Sequence, residues 1–164
     1  MIQFFSKKKK GFTLIELLVV IAVIGMLAGI VLVSFGPTRA KARDTKRQVD
    51  LREIMIAMEM CYGNSNCGLG LDQYPATAGG ITQIDTDGDP LYLSPVSCDP
   101  SGCTVGYNWT DNSGAPSYRY YCVYAKLETE ANTWFCASNK GLHKKTFAGY
   151  TPINTDCCGV NVTQ

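Results

Sequence analysis

Residues 7–20 of the chain read KKKKGFTLIELLVV. Four lysines end at Gly11, and an apolar run begins at Phe12 with a single acid, Glu16, inside it. From Leu17 to Phe35 nothing is charged, and Ser34 is the only residue with a polar side chain. A helix of that length rises about 28 Å, close to the hydrocarbon thickness of a bilayer. A helix buried in a water-soluble domain keeps a polar stripe on one side, and this stretch has none. It therefore reads as a membrane span. A removable signal peptide fits less well. The run exceeds the usual apolar region, and its one small-x-small exit, Ser34 and Gly36, leads straight into Pro37.

The net charge of +1 over 164 residues conceals a strong division. Residues 1–10 hold four lysines and no acid, residues 37–60 hold six Lys/Arg against four Asp/Glu, and residues 61–164 hold five against nine. All eight cysteines (Cys61, Cys67, Cys98, Cys103, Cys122, Cys136, Cys157, Cys158) lie in the last 104 residues. An even set of cysteines in a small head indicates disulfides and an oxidising, extracytoplasmic location. Zinc is the rival reading, but no CxxC pair occurs and His143 is the only histidine. The neighbours Cys157 and Cys158 sit too close along the chain to bridge each other. Positive-inside counting is nearly tied, because Arg39, Lys41, Arg43, Lys46 and Arg47 follow the span. The cysteines break the tie, placing the head outside and Lys7–Lys10 inside.

Beyond the Gly36-Pro37 break, Leu51, Ile54, Met55, Met58, Cys61 and Tyr62 recur at three- and four-residue steps and form one apolar helix face. A helix from about Phe12 to about Tyr62 is expected, bent or loosened near Pro37, with that face laid against the head. Aromatic and branched residues predict strands at Leu91–Leu93, Thr104–Trp109, Tyr118–Ala125 and Thr133–Ala137. The last two, joined by KLETEA, read as an antiparallel hairpin that a Cys122–Cys136 bridge would staple. The expected fold is α+β: a long N-terminal helix, half transmembrane and half amphipathic, packed on a small, disulfide-rich antiparallel sheet. The expected divisions are a basic leader over 1–11, a transmembrane helix over 12–36, an amphipathic helix over 37–62 and an extracytoplasmic head over 63–164.

Few patterns point to chemistry. In IDTDGDP, Asp85, Asp87 and Asp89 alternate around Gly88 and offer oxygens to a structural calcium ion, without the downstream glutamate of an EF-hand loop. A plain turn of Asp, Gly and Pro explains them as well. Asn108-Trp109-Thr110 and Asn161-Val162-Thr163 are glycan-acceptor patterns of low specificity. His143 stands beside Lys144 and Lys145 with no nucleophile assigned to it, and neither a phosphate-binding glycine loop nor HExxH occurs. The chain does not read as an enzyme, and no cofactor is required. Arg39–Arg47 reads either as a site for anionic lipid or DNA, or as a solvated helix face with Asp44 and Asp50 interleaved.

The basic leader, Gly11, Phe12, Glu16 and the span form one arrangement, and GFTLIELLVVIAVIG resembles the N-terminal signature of type IV prepilins and of the pseudopilins of type II secretion. The resemblance is specific over residues 7–33 and extends more loosely through Tyr62 and to the CDP at 98–100. It implies that a prepilin peptidase cuts between Gly11 and Phe12 and methylates the new Phe12 amine. It also implies a single-pass stage in the lipid of the cytoplasmic membrane, N-terminus inside and head outside. Assembly with identical and other pilins, on an inner-membrane platform, would then give an extracellular filament or a periplasmic pseudopilus.

The resemblance further implies that Glu16 pairs with the Phe12 amine of a neighbouring subunit. That amine is cationic near neutral pH, whereas a lone carboxylate in a dry filament core would be costly. A structural subunit of a pilus-like filament is the leading reading, and a secretion pseudopilin is the alternative. The reading from another class is a minor pilin or membrane-tethered head that binds DNA or another ligand.

Overall fold

The computed structural model describes residues 11–67, 69–84, 92–102, 106–114, 118–153 and 155–162, apart from the side chains of residues 33 and 34. One helix, α1 (Leu14–Tyr62), precedes six strands: β1 (Asn108–Trp109), β2 (Cys122–Lys126), β3 (Thr133–Ser138), β4 (Gly141–Thr146), β5 (Asp156–Cys157) and β6 (Val160–Asn161). Pro37 lies inside α1, and the helix continues through it. Its ring nitrogen cannot donate to the carbonyl four residues back, so one rung of the ladder is missing there. The chain divides into two compact units beside this point, between Thr38 and Arg39.

In the first unit, every large apolar side chain from Phe12 to Leu32 is at least 50% exposed. Leu14–Leu32 forms a helical stretch long and apolar enough to cross a membrane.

The second unit is layered. β1 to β4 form an antiparallel sheet in chain order. In the β2–β3 register Val123 faces Ala137 and Ala125 faces Phe135, while Tyr124 faces Cys136. Side chains alternate across a strand, so Val123, Ala125 and Ala137 bury one face and Cys122 and Cys136 the other. The first face packs with Leu51, Ile54, Ala57, Met58 and Cys61 of α1. These residues repeat with helical spacing, so the apolar stripe read from the sequence is the one that meets the sheet. The second face is covered by the two-stranded sheet of β5 and β6, whose Cys157, Cys158 and Val162 join Tyr120, Cys122 and Cys136 in a separate core.

Disulfides fix this strap. Cys122 bonds Cys157 and Cys136 bonds Cys158. The expected Cys122–Cys136 bridge is therefore wrong. Cys122 is paired in register with Ser138, and Cys136 with Tyr124, so the two cysteines are offset along the hairpin. Cys122 takes its partner from β5 and Cys136 from the turn that follows it. Cys61–Cys67 ties the end of α1 to the turn after it, where Asn64 N donates to Cys61 O at 2.9 Å. Cys98 is also disulfide-bonded, and Cys103 lies outside the described residues.

Three strand expectations need correction. Among the described residues, the stretch at Thr104–Trp109 is strand only at Asn108–Trp109, Leu93 forms only an isolated bridge with Ile84, and the stretch at Tyr118–Ala125 starts as strand only at Cys122, while Leu91, Thr104 and Val105 lie outside the described residues. β4 was not anticipated at all. It follows a two-residue turn at Asn139-Lys140, closed by the Ser138–Gly141 pair, where Gly141 holds φ 103°. That conformation suits glycine because it lacks a Cβ. Within its sheet β4 lies at an edge, where His143, Lys144 and Lys145 are tolerated and discourage pairing with a further strand.

Ile54 is fully buried between α1 and the sheet. Ile54→Ala is expected to lower head stability by about 2–5 kcal/mol, measured by urea unfolding of the full chain in mild detergent. A loss below about 1 kcal/mol would contradict the packing described.

Candidate functional site

The N-terminal segment is organised by the four residues TLIE. Glu16 N donates to Thr13 Oγ1 at 3.3 Å, and Glu16 Oε2 accepts from both Thr13 N and the Thr13 hydroxyl at 2.8 Å. This is a reciprocal capping box, in which the first residue's hydroxyl and the acid three positions later each satisfy an orphan backbone donor. Such donors are expensive to leave unpaired at membrane depth. The helix dipole also favours a negative group in the first turn. The acid therefore has a local role: it closes the start of α1. Gly11 and Phe12 stand before the cap outside the helix and exposed, Phe12 at 86%.

The cationic stretch after the span is organised differently from either sequence reading. Arg47 is only 2% exposed, and its guanidinium meets three carboxylates. Nη1 donates to Asp44 at 2.7 Å, Nε and Nη2 form a fork on Asp99 at 2.7 and 2.8 Å, and Nη2 reaches Glu128 at 2.6 Å. Arg43 forms a second fork on Glu128. Asp44 in turn accepts from the backbone N–H of Glu128 and Thr129 and from the Thr129 hydroxyl, holding the β2–β3 loop against α1. One turn further along, buried Asp50 accepts from Lys46 Nζ at 2.6 Å and from Tyr107 OH at 2.8 Å.

Arg43, Lys46 and Arg47 are thus committed within the head, and Asp44 and Asp50 are buried rather than solvated. The smaller basic patch is similar: Lys144 pairs with Glu130 and Lys145 with Asp156. Arg39 and Lys41 of the same stretch are exposed.

Electrostatics follow from these partners. The Arg47 fork holds the Asp99 carboxyl well below the usual carboxylate range, with Ser101 assisting. Glu128 is lowered first by Arg43 and then by Arg47, against its burial. Burial alone would raise Asp44, but hydrogen bonds from Thr129, the Glu128 amide and Arg47 bring it below its ordinary value.

Asp85, Asp87 and Asp89, the proposed calcium ligands, lie outside the described residues. Asn108 is exposed on β1, Asn161 is exposed on β6, and His143 Nε2 lies 3.1 Å from the Lys140 carbonyl. Among the described residues no catalytic arrangement gathers around that histidine.

Comparison with known proteins bears on the exposed N-terminal helix. Residues 6–32 match the prokaryotic N-terminal methylation motif. The chain is also 36% identical over 142 residues to a "Probable minor fimbrial protein" of Dichelobacter nodosus, covering 81% of this chain and 89% of the relative. The chain belongs to the type IV pilin family. It is 27% identical over 143 residues to the type IV wide pilus major component of Thermus thermophilus, spanning 87% of this pilin and 92% of that protein. Over 62 residues, 38% of this pilin and 28% of the relative, it is 31% identical to a type IV major pilin protein of Myxococcus xanthus. No solved structure matches the pilin significantly.

The Arg47 network was the feature that sequence reasoning missed. Its one signal was the CDP at 98–100, whose Asp99 receives the fork. The three lowered carboxylates stabilise the folded pilin above their ordinary titration range, near pH 4, and this contribution is lost as pH falls toward their folded values. Head stability is therefore expected to decline on acidification below about pH 4, and Asp99→Asn to flatten that decline. An unchanged acid limb in Asp99→Asn would contradict the assignment. Arg47→Ala, which takes one buried cationic partner from three carboxylates, is expected to cost about 3–5 kcal/mol at pH 7 in urea unfolding.

Proposed function

We propose that the chain is a structural subunit of a type IV pilus-like filament, cut between Gly11 and Phe12, N-methylated at Phe12 and assembled through α1. The observation that carries this reading is the capped, otherwise uncharged helix start. A span whose apolar side chains are exposed all round opens on a single acid held by Thr13, immediately after an exposed Gly11-Phe12. Residues 1–11 serve as the cytoplasmic leader, 12–36 as membrane anchor and later filament core, 37–62 as the helix half that carries the head, and 63–164 as the extracytoplasmic head.

Glu16 has a role in each state. While the subunit waits in the membrane, the capping box gives the carboxylate partners within its own chain. Cleavage then creates a cationic amine at Phe12. In the filament the carboxylate takes the Phe12 amine of a neighbouring subunit, a charge-assisted contact that fixes register. A prepilin peptidase performs the processing and an inner-membrane platform the assembly. The Dichelobacter nodosus and Thermus thermophilus relatives, named as fimbrial and pilus components and aligned over 89% and 92% of their length, support a pilus subunit over a secretion pseudopilin. They also support a structural rather than catalytic role.

Glu16→Ala is expected to be processed and inserted, since the cleavage site and the span are intact, yet to assemble poorly. Shear preparations should then contain few filaments while membrane fractions retain mature-length subunit. Wild-type filament yield from Glu16→Ala would refute the assembly role of this residue. Glu16→Gln separates the two roles, because it preserves the capping geometry and removes the charge.

A further inference from the structure

A cleft opens along the free edge of β1. Its volume is about 470 Å³, within the range of small-molecule sites. Residues 106–109 line it and no residue of β2 does, so it lies beside the sheet edge rather than over the sheet. Residues 79–82 line it as well, with Pro95 and Val96. Hydrogen bonds within the head hold this frame. The Thr77 hydroxyl donates to Thr110 O, Gly80 N to Thr77 O at 3.1 Å, and Val96 N to Thr82 O at 2.8 Å. Gly79 and Gly80 hold φ 81° and 88°, which glycine adopts without strain. A Cβ at Gly80 would meet Trp109 Cδ1 at 3.7 Å, so the turn faces the pyrrole edge of the indole.

Polar groups of both kinds surround the cleft. Trp109 Nε1 is buried and has no acceptor among the described residues. A buried donor left unpaired carries its full desolvation cost. Asn108 and Thr82 are exposed, and among the described residues the Asn108 carboxamide and the Thr82 hydroxyl make no hydrogen bond. The backbone adds two more groups. Thr110 N donates to Cys122 O at 3.0 Å, and paired residues of an antiparallel ladder alternate in bonding. The N–H and C=O of Trp109, one residue earlier, therefore turn away from β2 toward the open edge.

None of the described lining residues is charged, so nothing among them compensates the desolvation of an ion. The ligand that suits these groups is neutral, offers donors and acceptors together, and keeps an apolar frame. We propose that this cleft binds a neutral sugar, a pyranose unit of a glycan. One hydroxyl supplies the acceptor that Trp109 Nε1 lacks. Others bond Asn108, Thr82 and the Trp109 backbone, while C–H groups of the ring meet Ile81, Pro95 and Val96. An extended peptide added to the edge of β1 is the competing occupant, because a free edge can also take a strand. The buried indole N–H and the two exposed polar side chains favour the sugar, since a peptide added as a strand bonds chiefly through main-chain groups.

The test is a titration of the ¹⁵N-labelled full chain by NMR, in a zwitterionic detergent without a sugar headgroup. The probes are the methyl glycosides of glucose, galactose, mannose and N-acetylglucosamine, and a blocked peptide of alternating valine and glycine. At least one sugar is expected to shift the indole N–H signal of Trp109 and the amide signals of Gly79 and Gly80 saturably, with the Trp134 indole unmoved. Trp109→Phe, which removes the donor and keeps an aromatic ring, and Asn108→Ala, at an exposed position, are each expected to weaken binding about tenfold. The Gly79 and Gly80 signals report binding in both variants, and an unchanged Trp134 signal shows that the head remains folded. The proposal is overturned if no sugar gives a saturable shift, if only the peptide does, or if either variant binds as the wild type does. None of these outcomes touches the filament reading, which concerns α1 and not this cleft.

Discussion

A helix whose apolar side chains project in every direction cannot remain in water. From Phe12 to Leu32 the large side chains of this chain stand at least half exposed, and each gains about 1.5–3 kcal/mol on full burial. Nothing among the described residues supplies that burial. Lipid does so for a single span, and like helices do so in the proposed filament. The same constraint explains the care taken at the helix start. Where water is excluded, free N–H groups are costly, and Thr13 with Glu16 occupies them reciprocally. An acid that looks misplaced in an apolar run thereby has partners within its own chain.

The second unit solves a different problem, which is to fix a small sheet to the helix. Apolar packing through Leu51, Ile54 and Met58 supplies area but little directionality. Arg47 supplies direction. Its planar guanidinium has donors in a fixed fork, and they meet carboxylates from the helix itself, from the loop at Asp99 and from the β2–β3 loop at Glu128. Burying such a group gains little net stability over an apolar residue of equal size, but it strongly penalises any arrangement that leaves it unpaired. On the far face, the two bridges of the strap close the sheet with covalent bonds.

Much of this was legible in the sequence, and the reasons for the rest are physical. The uncharged run and the three- and four-residue spacing of Leu51, Ile54, Met58 and Cys61 gave α1 and its buried face, because both are local periodicities. The β2–β3 hairpin was readable from aromatic and branched residues around a polar loop. β4 was not, since GLHKKT is a polar edge strand without apolar alternation. The partners of Cys122 and Cys136 depend on a strap more than twenty residues away and on the left-handed turn at Cys158, neither of which has a local signature. Arg47 looked like one cation among several, because a buried charge is identified by partners that only the fold brings to it.

The claim on which the functional account rests is that the exposed Gly11–Phe12 junction is cut and that the chain enters the filament from Phe12. Intact-mass and N-terminal analysis of the protein purified from its native membrane or filaments tests this directly. The expected result is a chain beginning at N-methyl-Phe12, with its cysteines oxidised and residues 1–11 absent. A chain that retains Met1, or one that begins near Pro37, would contradict it.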